Sequence, residues 1–200
     1  MRYFCLYILL SIHSIPAIQA QGIFPSNTYV RTCLNDVECA SMNSSSLLFF
    51  DEARGRFYMK LDFNAMKTGI DSVDFWLEDL NDTYLYFRAP MSRDKLPNLS
   101  AYGSTTLKID GQLFINNIWR PLHIDLALYK AESDLISNSA NGNRIDAYKA
   151  NLSFSFLPSQ YNIHKKPGRL RNVIFIGIAG GHINLLTPGQ EKELGEAYEQ

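Results

Sequence analysis

The chain has 200 residues, 46% of them hydrophobic, with 19 basic against 20 acidic side chains and a formal net charge of −1. So even a balance offers no cationic surplus for a phosphate backbone, which argues against nucleic acid as a partner. The length suits a single domain with a sizeable core.

Residues 1–20 read as a secretion leader, with Met1-Arg2 as a positive start, Tyr3 to Ile12 as an apolar core, a Pro16 break and cleavage expected after Ala20. The apolar run is shorter than the roughly 20 residues that cross a bilayer, which favours a leader over an anchor. The expected location is therefore secreted or periplasmic. Cys5 leaves with the leader, and Cys33 and Cys39 remain. An oxidising compartment favours a disulfide between them, with free thiols or an intermolecular bridge as the other readings. Neither sits directly after the leader core, so lipid modification is not indicated. No His pair or second Cys pair stands nearby at ligand spacing, so no metal is expected.

Residues 21–46 are polar and read as an irregular segment before the domain, which is set at 47–186. Leu47 to Phe50 and Phe57 to Phe63 predict two strands around a turn that carries Gly55. In the second strand Phe57, Met59, Leu61 and Phe63 share one face. Ser72 to Leu80 changes period: Val73, Trp76, Leu77 and Leu80 recur at helical spacing, and Ser72 is placed to cap. Tyr84 to Ala89 returns to strand, with Leu85 and Phe87 together and Pro90 ending it.

Leu107 to Lys130 carries the strongest pattern. Two alternating runs flank Asn116-Asn117, which predicts a long antiparallel hairpin with one dry face. Leu122, Ile124, Leu126 and Leu128 face one way; His123, Asp125 and Tyr129 face the other. Asp134 to Asn143 is loop. Tyr148 to Leu157 is another alternating strand, with Leu152, Phe154 and Phe156 in one row. Gln160 to Arg171 is a basic loop with Lys165, Lys166 and Arg169, and Val173 to Ala179 is a last strand that Gly180-Gly181 should stop. The acidic residues 187–200 read as a solvated tail. These elements amount to an all-β fold: an antiparallel, lipocalin-like β-barrel of about eight strands with one short helix.

The order of these elements resembles the YceI-like family of exported, lipocalin-like barrel proteins. The features that carry the resemblance are the brief helix Asp74-Phe75-Trp76-Leu77, the strand with Tyr86-Phe87, and above all Gly111 to Leu128, where an alternating strand, a turn, Arg120-Pro121 and a second alternating strand follow one another. The likeness spans about Ser46 to Ile183. Asn117 stands where the family usually has Gly, a substitution the turn accepts because Asn tolerates positive φ. Thr83-Tyr84-Leu85 replaces a common Tyr-Pro step. What the resemblance implies is a protein that binds a long isoprenoid or fatty chain along the barrel axis, without catalysis and without a resident cofactor beyond that lipid.

Lumen positions under this reading are Phe57, Met59, Leu61, Phe63, Leu85, Phe87, Leu113, Ile115, Leu122, Ile124, Leu126, Phe154 and Phe156. An eight-stranded barrel can hold one such ligand or fill its interior with side chains, and both outcomes stay open. A filled barrel would act as a protein-interaction module instead. His123 beside Asp125 on an outward face could orient an imidazole but fits a solvated polar stripe better; His164 and His182 bring no further ligand. Gly177 to Gly181 lacks the Lys-Ser/Thr and helix of a phosphate loop, and no nucleophile elbow occurs. Trp119 and Arg120 at the turn, with the Lys165 loop, are candidates for contact with a membrane surface or a partner, and a homodimer is left open. Asn43, Asn81, Asn98 and Asn151 begin glycosylation sequons, which carry little weight in a chiefly bacterial family.

Overall fold

The fold is taken from a computed structural model in which residues 23–33, 39–63, 71–78, 84–92, 94, 104–130, 148–163, 173–187, 189–191 and 194 are described. The leader, the Asp134 to Asn143 loop, and the basic-loop residues His164, Lys165, Lys166, Arg169 and Arg171 lie outside them. Eight strands close a barrel in sequence order: β1 (Ser26–Cys33), β2 (Cys39–Asp51), β3 (Arg56–Asp62), β4 (Tyr84–Pro90), β5 (Ser104–Ile115), β6 (Ile118–Lys130), β7 (Tyr148–Phe156) and β8 (Ile174–Leu185). Neighbours pair antiparallel throughout, and β8 returns to β1 through Thr28 to Arg31. One helix, α1 (Asp71–Glu78), lies between β3 and β4.

Residues 21–46 are not irregular, as their polarity suggested; they carry β1 and the first part of β2. The alternation is present, but its inward residues are small and hydroxylated. Ser26, Thr28 and Val30 are buried while Asn27, Tyr29 and Arg31 are exposed. The Thr28 hydroxyl donates to Ser46 Oγ at 2.7 Å, which satisfies polar groups that hydropathy alone would put in water. The domain therefore begins about twenty residues before the expected boundary. At the other end Leu194 is buried against Phe49 and Tyr58 on the outer face of the sheet, so the acidic tail is anchored at that residue.

Elsewhere the strands follow the predicted runs closely. Asn116 and Asn117 both take positive φ, 48° and 59°, the conformation a two-residue hairpin turn demands. Helix α1 starts at Asp71, so Ser72 sits exposed within the first turn instead of capping it. Asp71 and Asp74 place negative charge at that helix's positive end.

Gly180-Gly181 does not stop the last strand. β8 runs on to Leu185, and its register against β7 slips between Ala150 and Leu152. One residue of β7 there, Asn151, opposes two of β8, Ala179 and Gly180, which is a β-bulge. Gly180 holds φ +66°, and its N–H donates to Asn151 Oδ1 at 2.7 Å. Beyond this bend β8 leaves β1 and pairs in parallel with β2 from Leu48 to Phe50. Asn184 locks the junction: its Nδ2 donates to the carbonyls of Leu48 and Phe24, both at 3.0 Å, and its Oδ1 accepts the Phe24 N–H at 2.8 Å.

The barrel has two distinct rims. At one, β3 ends, β4 begins, the Asn116-Asn117 turn lies, and a 3₁₀ turn (Pro158–Tyr161) follows β7. Since α1 joins β3 to β4, it belongs to this rim too. Asn116 Nδ2 donates to the Tyr161 carbonyl at 2.8 Å and fixes the 3₁₀ turn against the hairpin. Leu157, just before it, is exposed. The opposite rim carries the Gly55 turn, where the Met91 N–H donates to the Gly55 carbonyl at 2.8 Å.

Two predictions concern this framework. Asn184→Leu strands the buried Leu48 carbonyl and the Phe24 amide; the expected loss is about 2–4 kcal/mol, read as a lower urea midpoint at unchanged m. Tyr161, buried beside Phe156, has its pKa pushed up to about 12 by desolvation, with Arg120 opposing. In the unfolded chain the phenol ionises near the ordinary tyrosine value of 10.0. Between these values the unfolded state has lost the proton that the folded state keeps, so stability falls as pH rises from about 10 to about 12. A thermal melt series across that window should show the decline, and Tyr161→Phe should flatten it.

Candidate functional site

The interior is built by strand alternation. Each of the thirteen lumen positions read from the sequence faces inward, and twelve of them are buried in one continuous apolar cluster: Phe57, Met59, Leu61, Phe63, Leu85, Phe87, Leu113, Ile115, Ile124, Leu126, Phe154 and Phe156. Leu122 is partly buried and packs against the same cluster. Val30 joins it from a strand that polarity obscures, Leu48 and Phe50 from the predicted Leu47 to Phe50 strand and Ile176 from the predicted last strand, while Ile109 and Leu128 continue the rows of Leu113 and Leu126. Trp76 enters it from α1, while Phe75 on the same helix is 72% exposed.

Rings meet across the barrel at the α1 rim. Phe63, directly after β3, and Phe156 on β7 come from opposite sides of the ring, yet their ring centroids lie 6.5 Å from each other, and Tyr161 stands edge-on to Phe156 at 5.8 Å. This contact gathers three aromatic side chains at that end. Further in, Phe87 lies over Gly111, where a Cβ would sit 2.4 Å from its ring, so glycine is required for the ring to reach the wall. The wall formed by β1 and β2 is different in kind. Ser26, Thr28 and Ser46 give it small hydroxylated side chains, whereas β3, β4 and β7 present phenylalanines.

No inward-facing charge accompanies these rows among the described residues. The one buried carboxylate there, Asp51, belongs to the β2–β3 turn, where its Oδ1 accepts the Arg54 N–H at 3.0 Å. The described residues also bring no three His, Cys, Asp or Glu side chains together as metal ligands, and contain no helix long and apolar enough to cross a membrane.

The outer surface answers two sequence readings differently. His123 pairs with Asp110 across the hairpin at 2.5 Å, not with Asp125, because cross-strand neighbours lie closer than next-but-one residues along a strand. Both partners are highly exposed, at the edge of an open depression of about 370 Å³ lined by Lys108, Asp110, His123, Ile124 and Asp125. Trp119 does not stand out from the rim. It packs on Phe114 at 4.8 Å, with the Arg88 guanidinium 3.9 Å above its ring. Partial burial and nearby Arg56 lower the Arg88 pKa, and Tyr58 opposes them. Arg120 is exposed and donates to the Gln160 carbonyl at 3.3 Å.

No family model matches the chain, and no curated protein matches it in sequence. Solved structures do match in shape. A polyisoprenoid-binding domain from Saccharophagus degradans, implicated in plant cell wall breakdown, superposes with a TM-score of 0.55 at 10% identity, covering 76% of this chain and 90% of that one. BcnA of Burkholderia cenocepacia gives a TM-score of 0.50 at 14% identity, covering 76% of this chain and 93% of its own. The chain thus has the closed, lipocalin-like all-β fold of these proteins, as the order of its elements led one to expect.

Proposed function

We propose that this protein is a YceI-like carrier or sensor that holds one long apolar chain, isoprenoid or fatty, inside its barrel. The observation that carries this reading is the interior itself: strands from around the whole ring contribute to one apolar cluster, relieved only by the serine and threonine strip of β1 and β2, within a sheet that closes on itself. The shape shared with a polyisoprenoid-binding domain supports it. Burial of each methylene contributes about 0.8 kcal/mol, so a chain of ten or more carbons gains enough to offset its ordering. The protein needs no catalytic group for this role. A second reading, a filled barrel that serves as an interaction module, draws support from the cross-barrel contact of Phe63 and Phe156.

Direct binding separates the two. Across a series of chains from eight to fourteen carbons, the dissociation constant should fall roughly fourfold per methylene until the interior is full. Organic extraction of protein from its native host should release such a chain into the mass spectrum. Blank extracts together with absence of binding at every length would leave only the filled-barrel reading.

The leader and the cysteines fit a protein that works outside the cytoplasm, in the periplasm or beyond. Cys33 and Cys39 are register partners at the end of the β1–β2 pair. We propose that they form a disulfide across this hairpin after export. The exported protein should begin at Gln21 and gain two titratable thiols on reduction; free thiols without reductant would refute the bridge.

A further inference from the structure

We propose that the α1 rim receives the oxygen-bearing end of the ligand, with the Trp76 indole N–H as the donor to that oxygen; this rests on the carrier reading. Trp76 is only 6% exposed and packs in the apolar interior, yet its Nε1 is fully buried and has no hydrogen-bond acceptor. A buried donor left unpaired is destabilising, and phenylalanine would supply a similar apolar ring without that penalty. The interior holds a second such atom. Ser44 Oγ is also buried and unpartnered.

Ser44 shares the inward parity of Ser46 and Leu48 on β2. Ser46 opposes Leu61, near the end of β3, so Ser44 lies two residues closer to the α1 rim. The neighbouring hydroxyls are already satisfied, since Thr28 donates to Ser46. Unmet polar groups thus occur in the same half of a lumen whose other inward hydroxyls, on Ser26, Thr28 and Ser46, are paired. The buried rings of Phe63, Phe156 and Tyr161 make this half an apolar setting, in which a hydrogen bond is stronger than in water. A purely hydrocarbon guest leaves both groups unmet. A guest that ends in a carbonyl, hydroxyl or phosphate oxygen satisfies them. Because an indole N–H only donates, a terminal ammonium gains nothing from it.

The test uses the exported full-length protein with four probes: dodecane, 2-dodecanone, dodecyl phosphate and dodecylammonium. The wild type should prefer 2-dodecanone over dodecane by about tenfold, and the phosphate arm shows whether an anionic oxygen serves as well as a neutral one. Trp76→Phe should reduce the ratio of ketone to dodecane affinity to within about threefold, whatever its effect on dodecane itself, and Ser44→Ala should remove part of that ratio. The chain has two tryptophans, so Trp119→Phe identifies the Trp76 indole resonance. In the wild type that Nε1–H signal should move downfield with 2-dodecanone and stay in place with dodecane, a readout that stands even if Trp76→Phe fails to fold. An unmoved signal, a ketone preference that survives Trp76→Phe, or ammonium binding as tight as the ketone would overturn the inference and leave the apolar carrier intact. Binding of none of the probes would overturn both.

Discussion

Closure of the sheet is the constraint on which this molecule depends. An eight-stranded sheet left open would expose two rows of unpaired backbone groups and one oily face. Here the last strand must meet the first, and the chain achieves this by bending β8. The bulge at Gly180 lets one strand serve two neighbours, β1 before the bend and β2 after it. Asn184 then replaces the ladder bonds that neither neighbour can supply where the strand crosses over. The seam is completed by a few side-chain to backbone bonds, while the long β5–β6 hairpin on the far side has twelve residue pairs in regular register, with the His123–Asp110 and Phe114–Trp119 contacts across it.

Within the closed ring, chemistry is unevenly distributed. Phenylalanines project from β3, β4 and β7, and a strip of serine and threonine runs along β1 and β2. Bulk on one side and small polar groups on the other give the interior a direction across its width. The aromatic contact at the α1 rim gives it a direction along its length.

Much of this was legible in the sequence wherever burial and hydropathy coincide. The hairpin, the inward rows of β3, β4 and β7, and the Asn116-Asn117 turn all follow from alternation and from the φ preferences of asparagine. β1 escaped because its inward residues are hydroxylated, and only the partnership of Thr28 with Ser46, far apart in the chain, makes them acceptable inside. Gly180-Gly181 looked like a stop because glycine ends strands and also bends them; the difference lies in Asn151 of the adjacent strand. That His123 meets Asp110 of the neighbouring strand depends on register, which spacing along one strand does not reveal. Trp76 was recognised as part of an amphipathic helix, but no spacing rule reveals that its nitrogen lacks an acceptor.

One outer-face pair has implications for how this seam could drift over generations. The Tyr29 ring lies against the backbone of Gly177, so close that a Cβ there would fall 2.0 Å from its Cζ, and it stacks on Phe175 at 6.3 Å. Aromatic cover of a bare glycine in an adjoining strand repairs the missing side chain. The two sites are therefore not independent: a larger residue at 177 demands a smaller one at 29, and the reverse exchange opens a gap. Homologues that retain this seam should keep the couple intact or replace both members together.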